Sequence, residues 1–178
     1  MAAKSNNTES ILDRIIGFID NCDQKANILL AFIGVIMTIL LTSNMSSKVQ
    51  NLLIIPFVNY WKNDIGTFHC GRFLLFISIT CVCFFAGCAL YYLIKVVRPQ
   101  IDNKGSKSRI YFGHISTMTF EEFKNRPQDY DYEDDLLQQV HINSQICTRK
   151  FTNLRKAINY IIGMIVSCFI MYILILFL

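Results

Sequence analysis

No glycine stands between Gly113 and Gly163 and no proline follows Pro127, so from Glu133 nothing breaks a helix before the chain turns wholly apolar. The stretch starts acidic (Glu133, Asp134, Asp135) and continues with Leu137, Val140, Ser144, Cys147, Phe151, Leu154 and Ile158 at alternating three- and four-residue steps. That heptad-like, mostly apolar seam predicts a helix packed along another helix. Residues 157–178 carry no charge, and this window of 22 residues is long enough to cross a bilayer. Arg149, Lys150, Arg155 and Lys156 stand just before it. A single rod is expected to join a polar part to the membrane.

Composition agrees. A chain of 178 residues with 53% hydrophobic content and a mean hydropathy of +0.37 is too apolar for an ordinary soluble domain of its size. Its net charge of +4 is mild, and the cations gather near predicted membrane ends, which argues for orientation rather than nucleic-acid binding. The seven cysteines form no CxxC pair or Cys/His ligand set. Cys81, Cys83, Cys88 and Cys168 fall in apolar windows and read as small apolar residues.

Residues 1–9 are small and polar, without the features of a secretory signal. Ile11, Ile15, Phe18, Ile19 and Cys22 then share one helical face, so 1–25 reads as a cytosolic amphipathic helix. That face either lies on the membrane or packs on the C-terminal seam. Packing is favoured, because a surface-binding helix is usually richer in Lys and Arg. Asp23 and Lys25 mark the polar entrance to a first charge-free window, 26–47.

Residues 48–72 form an extracytoplasmic or interfacial loop. Its apolar run is interrupted by Pro56, and Tyr60 and Trp61 suit the headgroup level. The second span is 73–94, closed by Lys95, Arg98 and Pro99. The segment 95–156 begins with a loop over 102–108, and residues 110–115 follow as a strand or a short extended link. Thr119 and Glu122 have capping-box spacing for a short helix that Pro127 ends. Asp129, Asp131, Glu133, Asp134 and Asp135 read as one solvated acidic face.

Segment 95–156 holds eleven Lys and Arg against three in 43–72. The positive-inside rule therefore makes it cytoplasmic, with the N-terminus inside and the C-terminus outside. No Gly-rich phosphate loop, HExxH, GxSxG or Ser/His/Asp set occurs, so no enzyme and no cofactor are expected. The spans hold no ionisable acid or base of the kind transporters carry. Their Thr38, Ser78, Thr80 and Ser167 read as helix-packing groups, and Gly163 with Ser167 forms a small-xxx-small pair. Gln138, His141, Gln145, Arg149 and Lys156 fall near one stripe beside the seam, giving donors suited to an anion. Tyr111 and His114 add a ring for stacking and a hydrogen bond. The candidate ligand residues are Tyr111, His114, Gln145 and Arg149; the bland alternative is a solvated face bearing topology-setting cations.

Three blocks resemble one family. Asp23-Gln24-Lys25-Ala26-Asn27-Ile28-Leu29-Leu30 looks like the D-x-K-A-x-x-L-L signature of the transmembrane effectors of Pycsar antiphage defence. Ile110-Tyr111-Phe112-Gly113-His114-Ile115, with Phe120 and Phe123, resembles the family's second block. Leu136 to Ile146, with Arg149-Lys150-Phe151 and Arg155-Lys156-Ala157, resembles its third; His141 stands where the pattern leads us to expect Gln or a similar polar residue.

The resemblance implies a bacterial effector in which a partner pyrimidine cyclase makes cyclic CMP or cyclic UMP during phage infection. The cytosolic part would bind it, and the membrane helices would then impair inner-membrane integrity. The expected architecture is an all-α membrane protein with three transmembrane helices and a small helical cytosolic domain. Its third crossing (157–178) continues a long cytosolic helix, and the chain is expected to be a homo-oligomer through that rod, in contact with lipid and not with nucleic acid. Two rivals stand: an effector answering a cyclic oligonucleotide, which a neighbouring cyclase gene would discriminate, and a constitutive structural subunit of a membrane complex, which would not depend on any nucleotide.

Overall fold

In the computed structural model, residues 2–42, 47, 49, 51, 70–99, 108–125 and 130–177 are described. Five helices account for nearly all of them: α1 (Ala2–Thr42), α2 (Cys70–Val97), α3 (Phe112–Ile115), α4 (Phe120–Lys124) and α5 (Tyr132–Phe177). Apart from Val49 and Asn51 near its start and residues 70–72, which already belong to α2, the loop expected at 48–72, with Tyr60 and Trp61, lies outside the described residues. So do most of the 102–108 loop, Pro127 and Asp129. Among the described residues there is no strand. Three helices are long and apolar enough to cross a membrane: Asn6–Thr42, Phe73–Val97 and Tyr132–Phe177. The fold is the expected all-α one, and the last helix is long and continuous.

The chain divides into two compact units: Met1–Lys25 with Val96–Thr152, and Ala26–Lys95 with Asn153–Leu178. In the second, α2 runs antiparallel to α5. Leu75 packs with Met171 and Ile175 at one end, joined by Leu40, Ile79 and Leu174, and Tyr92 stacks on Tyr160 at the other. Ala26, Ala86, Ala89 and Ala157 are buried on the facing surfaces, where small side chains let backbones come close. Gly163 serves the same end: a Cβ there would lie 3.1 Å from the Phe85 ring. Ile28, Val35, Phe84, Ile94 and Phe169 point outward, as lipid-facing residues must.

Four hydroxyls of the described spans are satisfied within their own helices. Thr38, Ser78, Thr80 and Ser167 donate to the carbonyls of Gly34, Leu75, Phe76 and Gly163 at 2.8–2.9 Å. A hydroxyl bonded back to its own turn costs little in hydrocarbon.

In the first unit the front halves of α1 and α5 run parallel. Tyr132 Oη donates to Glu9 at 3.1 Å, and further along Asp23 meets Lys150. The N-terminal face packs through Thr8 and Cys22, both buried, with Ile15 and Ile19 half-buried. Ile11 and Phe18 of that face stay exposed, at 41% and 56%. The α5 seam differs from the expected one in part. Leu154 is buried as expected, and Val140, Ser144 and Cys147 are half-buried, but Leu137, Phe151 and Ile158 are exposed. At those three positions burial passes to Leu136, Lys150 and Ala157, one residue earlier and about 100° around the helix, and Gln139 is buried beside half-buried Val140. An apolar count misses this shift, because Gln139 and Lys150 are polar.

Residues 110–115 also differ from expectation, which was strand or link. Ser108 Oγ accepts the N–H groups of Ile110 and Tyr111 at 3.1 and 3.0 Å. This side-chain turn starts the single helical turn of α3. The Thr119–Glu122 capping box forms as its spacing predicted, with Glu122 N donating to Thr119 Oγ1 at 3.2 Å and Thr119 N to Glu122 Oε2 at 2.8 Å.

Gly163→Val would drive a branched side chain into Phe85 and lower stability by about 1–3 kcal/mol. Gly163→Ala should stay within about 1 kcal/mol of the parent, since its helix-propensity gain offsets a small ring shift. Thermal unfolding in detergent would show the Val variant well below both.

Candidate functional site

The site is best built from the charged pair that joins α1 to α5. Asp23 stands one turn ahead of the first charge-free window, and Lys150 falls on the buried stripe of α5. Lys150 Nζ reaches both Asp23 carboxylate oxygens, at 2.5 and 2.7 Å. The lysine is almost wholly enclosed, while the Asp23 side chain keeps 32% exposure. An enclosed ammonium is tolerable only with such a partner. Burial pushes the Cys22 thiol up, and the Asp23 charge pushes it further, against a smaller opposing pull from Lys150. Burial likewise raises Cys147, with Lys150 opposing. Both thiols are therefore protonated at neutral pH and act as packing groups. Lys25, the other member of the entrance pair, is exposed.

A second polar cluster is centred on Asp135. This carboxylate is 7% exposed and accepts hydrogen bonds from Arg109 N and Tyr130 Oη, each at 2.8 Å. The Arg109 guanidinium spreads over the carbonyls of Phe123, Glu122 and Asn125 at 2.6–3.0 Å, closing the C-terminal end of α4. Its carbon also lies 5.6 Å from the centre of the Tyr130 ring. Ser108 N donates to His114 Nδ1 at 3.0 Å, which leaves Nε2 as the protonated nitrogen of the neutral ring. Tyr111 meets His114 edge-on, ring centres 5.3 Å apart. Gly113 makes room for it, because a Cβ there would sit 2.6 Å from the Tyr111 ring. Two buried polar atoms, Tyr111 Oη and Asp135 Oδ1, have no hydrogen-bond partner among the described residues.

Comparison with known proteins decides the family. The model of the Pycsar effector protein domain matches residues 7–177. The chain belongs to that family. A curated relative, "Pycsar effector protein GmPycTM" of Gulbenkiania mobilis, is 29% identical over 171 residues, covering 85% of this chain and 83% of its own. No solved structure matches. The family is one of antiphage effectors in cyclic-pyrimidine signalling, and this chain is a multi-pass membrane protein within it.

Within this Pycsar effector domain, the four ligand candidates fall into two groups. Tyr111 and His114 share the Ser108 turn. Gln145 pairs with His141 on the outer face of α5, nitrogen to nitrogen at 2.9 Å, and Arg149 lies exposed one turn further. Lys156, on the same sequence stripe, belongs to the other unit and lies over the Tyr92 ring. Sequence reasoning missed Arg109, Asp135 and Lys150. Asp135 corrects the reading of a solvated acidic face: Asp131 and Asp134 are exposed, but Asp135 faces inward beside buried Leu136. The available signal was spacing, since Lys150, Leu154, Ala157 and Ile161 follow one another at steps of four, three and four.

Lys150→Ala would leave Asp23 without its partner. The expected loss is about 2–4 kcal/mol, below that of a fully buried pair because Asp23 is partly solvated. The Asp23→Leu/Lys150→Leu double variant should recover most of it. Thermal unfolding of the parent and the two variants measures this; a Lys150→Ala loss no larger than that of Arg149→Ala would remove the pair from this role.

Proposed function

We propose that this effector binds cyclic CMP or cyclic UMP from a partner pyrimidine cyclase through its cytosolic segment, 95–156, and then impairs inner-membrane integrity. The observation that carries the proposal is the family match over residues 7–177. The chemistry of the polar unit suits the ligand. Tyr111 and His114 offer a ring edge and an Nε2–H donor, and the unpartnered Tyr111 Oη is a further polar contact for a base. Gln145 and Arg149 offer an amide and a guanidinium on an exposed face, suited to a cyclic phosphate. The spans are 26–47, 73–94 and 157–178, with the N-terminus in the cytoplasm and the C-terminus in the periplasm.

The proposed coupling runs along α5, a single helix from Tyr132 to Phe177. Nucleotide binding changes the packing of its first half, and the third crossing moves with it. The ligand drives this only by its different affinity for the two states. A second copy covers the exposed α5 stripe of Leu137 and Phe151, which no lipid shields in a cytosolic segment.

Titration of the purified protein with cyclic CMP, cyclic UMP, cyclic AMP and a cyclic dinucleotide tests the reading, alongside dye release from liposomes. A pyrimidine cyclic mononucleotide should bind and trigger release; binding of the cyclic dinucleotide alone, or release without any nucleotide, would overturn it. Arg149→Ala should weaken binding by about 1.5 kcal/mol or more, roughly tenfold, while insertion is unchanged.

Topology has its own check. A reporter active only in the periplasm should work when fused after Leu178 and stay silent when inserted at Ser106. The reverse pattern would put segment 95–156 on the wrong side for a nucleotide made inside the cell.

A further inference from the structure

The charges of the two units are unequal. Met1–Lys25 and Val96–Thr152 hold eleven Lys and Arg against twelve acids, while Ala26–Lys95 and Asn153–Leu178 hold six against one, Asp64. Asp64 precedes the 73–94 window in the chain, whereas Lys95 follows it and Arg155 and Lys156 precede the 157–178 window. Because α2 and α5 are antiparallel, Lys95 and Lys156 come to the same end of the pair. There Tyr92 stacks on Tyr160, ring centres 5.5 Å apart and planes within 10°. Lys156 Nζ stands 5.5 Å from the Tyr92 ring and Lys95 Nζ 4.4 Å from the Tyr91 ring. Neither amine has a carboxylate partner among the described residues.

We infer that Lys95, Lys156 and the Tyr92–Tyr160 stack form a headgroup site for an anionic phospholipid. Two ammonium groups held over aromatic rings at a span end lie where hydrocarbon gives way to headgroups. No carboxylate among the described residues neutralises them, so their charge calls for an outside anion, and a phosphate is the one fixed at that depth. Tyr91 and Ile94, 54% and 58% exposed beside Lys95, give acyl chains an apolar surface that a soluble phosphate would not use. Binding is independent of the nucleotide response and is measured without it.

The wild-type protein is reconstituted into phosphatidylcholine containing a minor share of phosphatidylglycerol, and the lipids retained after detergent extraction are weighed by native mass spectrometry. Phosphatidylglycerol should be enriched over its bulk share, and Lys95→Gln/Lys156→Gln should cost roughly tenfold of that enrichment. Lys95→Arg/Lys156→Arg should keep it, and so should Lys124→Gln in the other unit. Circular dichroism confirms that each variant is helical; should the double Gln variant fail to fold, single Lys156→Gln is read instead. Wild-type retention at the bulk ratio, or undiminished retention by the Gln variant, would overturn the site. Displacement of the lipid by millimolar inorganic phosphate would also overturn it, and assign the cluster to a soluble anion.

Discussion

A backbone amide left unpaired in hydrocarbon costs several kcal/mol, and this chain is shaped first by that cost. The described parts of its three charge-free windows are helical, and side-chain hydroxyls inside them do best to find an acceptor within their own helix. Thr38, Ser78, Thr80 and Ser167 do so by bonding to the carbonyl three or four residues back. Once the spans are helices, the lack of any breaker between Pro127 and Gly163 lets the last one extend into polar surroundings as one rod. The rod is a consequence of the membrane's demands on its second half and of unopposed helix propagation in its first.

Where solvent is available, different forces hold the helices together. The front of α1 leaves Ile11, Ile16 and Phe18 exposed and Leu12, Ile15 and Ile19 half-buried, while its fully buried positions are Thr8 and Cys22. Area burial from such residues is small, so register comes from directed contacts: Tyr132 with Glu9, and Lys150 with Asp23. An ion pair of this kind adds little to net stability compared with apolar packing, but it penalises every misaligned register that leaves the ammonium enclosed and alone. The Asp135 cluster does the equivalent for the short segment 108–125. One carboxylate takes Arg109 N–H and Tyr130 O–H, and the same arginine closes α4.

Much of this was legible in the sequence, because windows without charge and without breakers are long-range signals that tertiary context seldom overrides. The Thr119–Glu122 box was legible for the opposite reason: both partners lie within one turn. What escaped reading depended on neighbours distant in the chain. Arg149 and Lys150 are adjacent cations on one helix, and only Asp23, 127 positions away from Lys150, decides which of them turns inward. Residues 110–115 have aromatic and β-branched content that favours extension, and the Ser108 hydroxyl outweighs it by offering two backbone acceptor bonds in a turn. Of the ligand candidates, the sequence could group Gln145 with His141 by helical spacing, but nothing in it links Tyr111 to His114 through a folded ring on Gly113.

The two units thus solve their charge problems in different ways, and the difference bears on how such a protein can respond. In the unit containing segment 108–125, cations and acids nearly balance, and Lys150 and Arg109 are committed to partners within the chain. Under the proposed function, a ligand carrying a negative phosphate would draw on exposed side chains such as Arg149 rather than on Lys150 or Arg109. In the other unit Arg155 and Lys156 stand just before the charge-free window 157–178, on the same α5 that carries Lys150. With lipid phosphates on Lys95 and Lys156 as inferred above, a helix clamped by the Asp23–Lys150 pair in one half and by the bilayer at the start of the other resists rotation at two points. Displacing it requires an interaction that differs between states by more than those two restraints together.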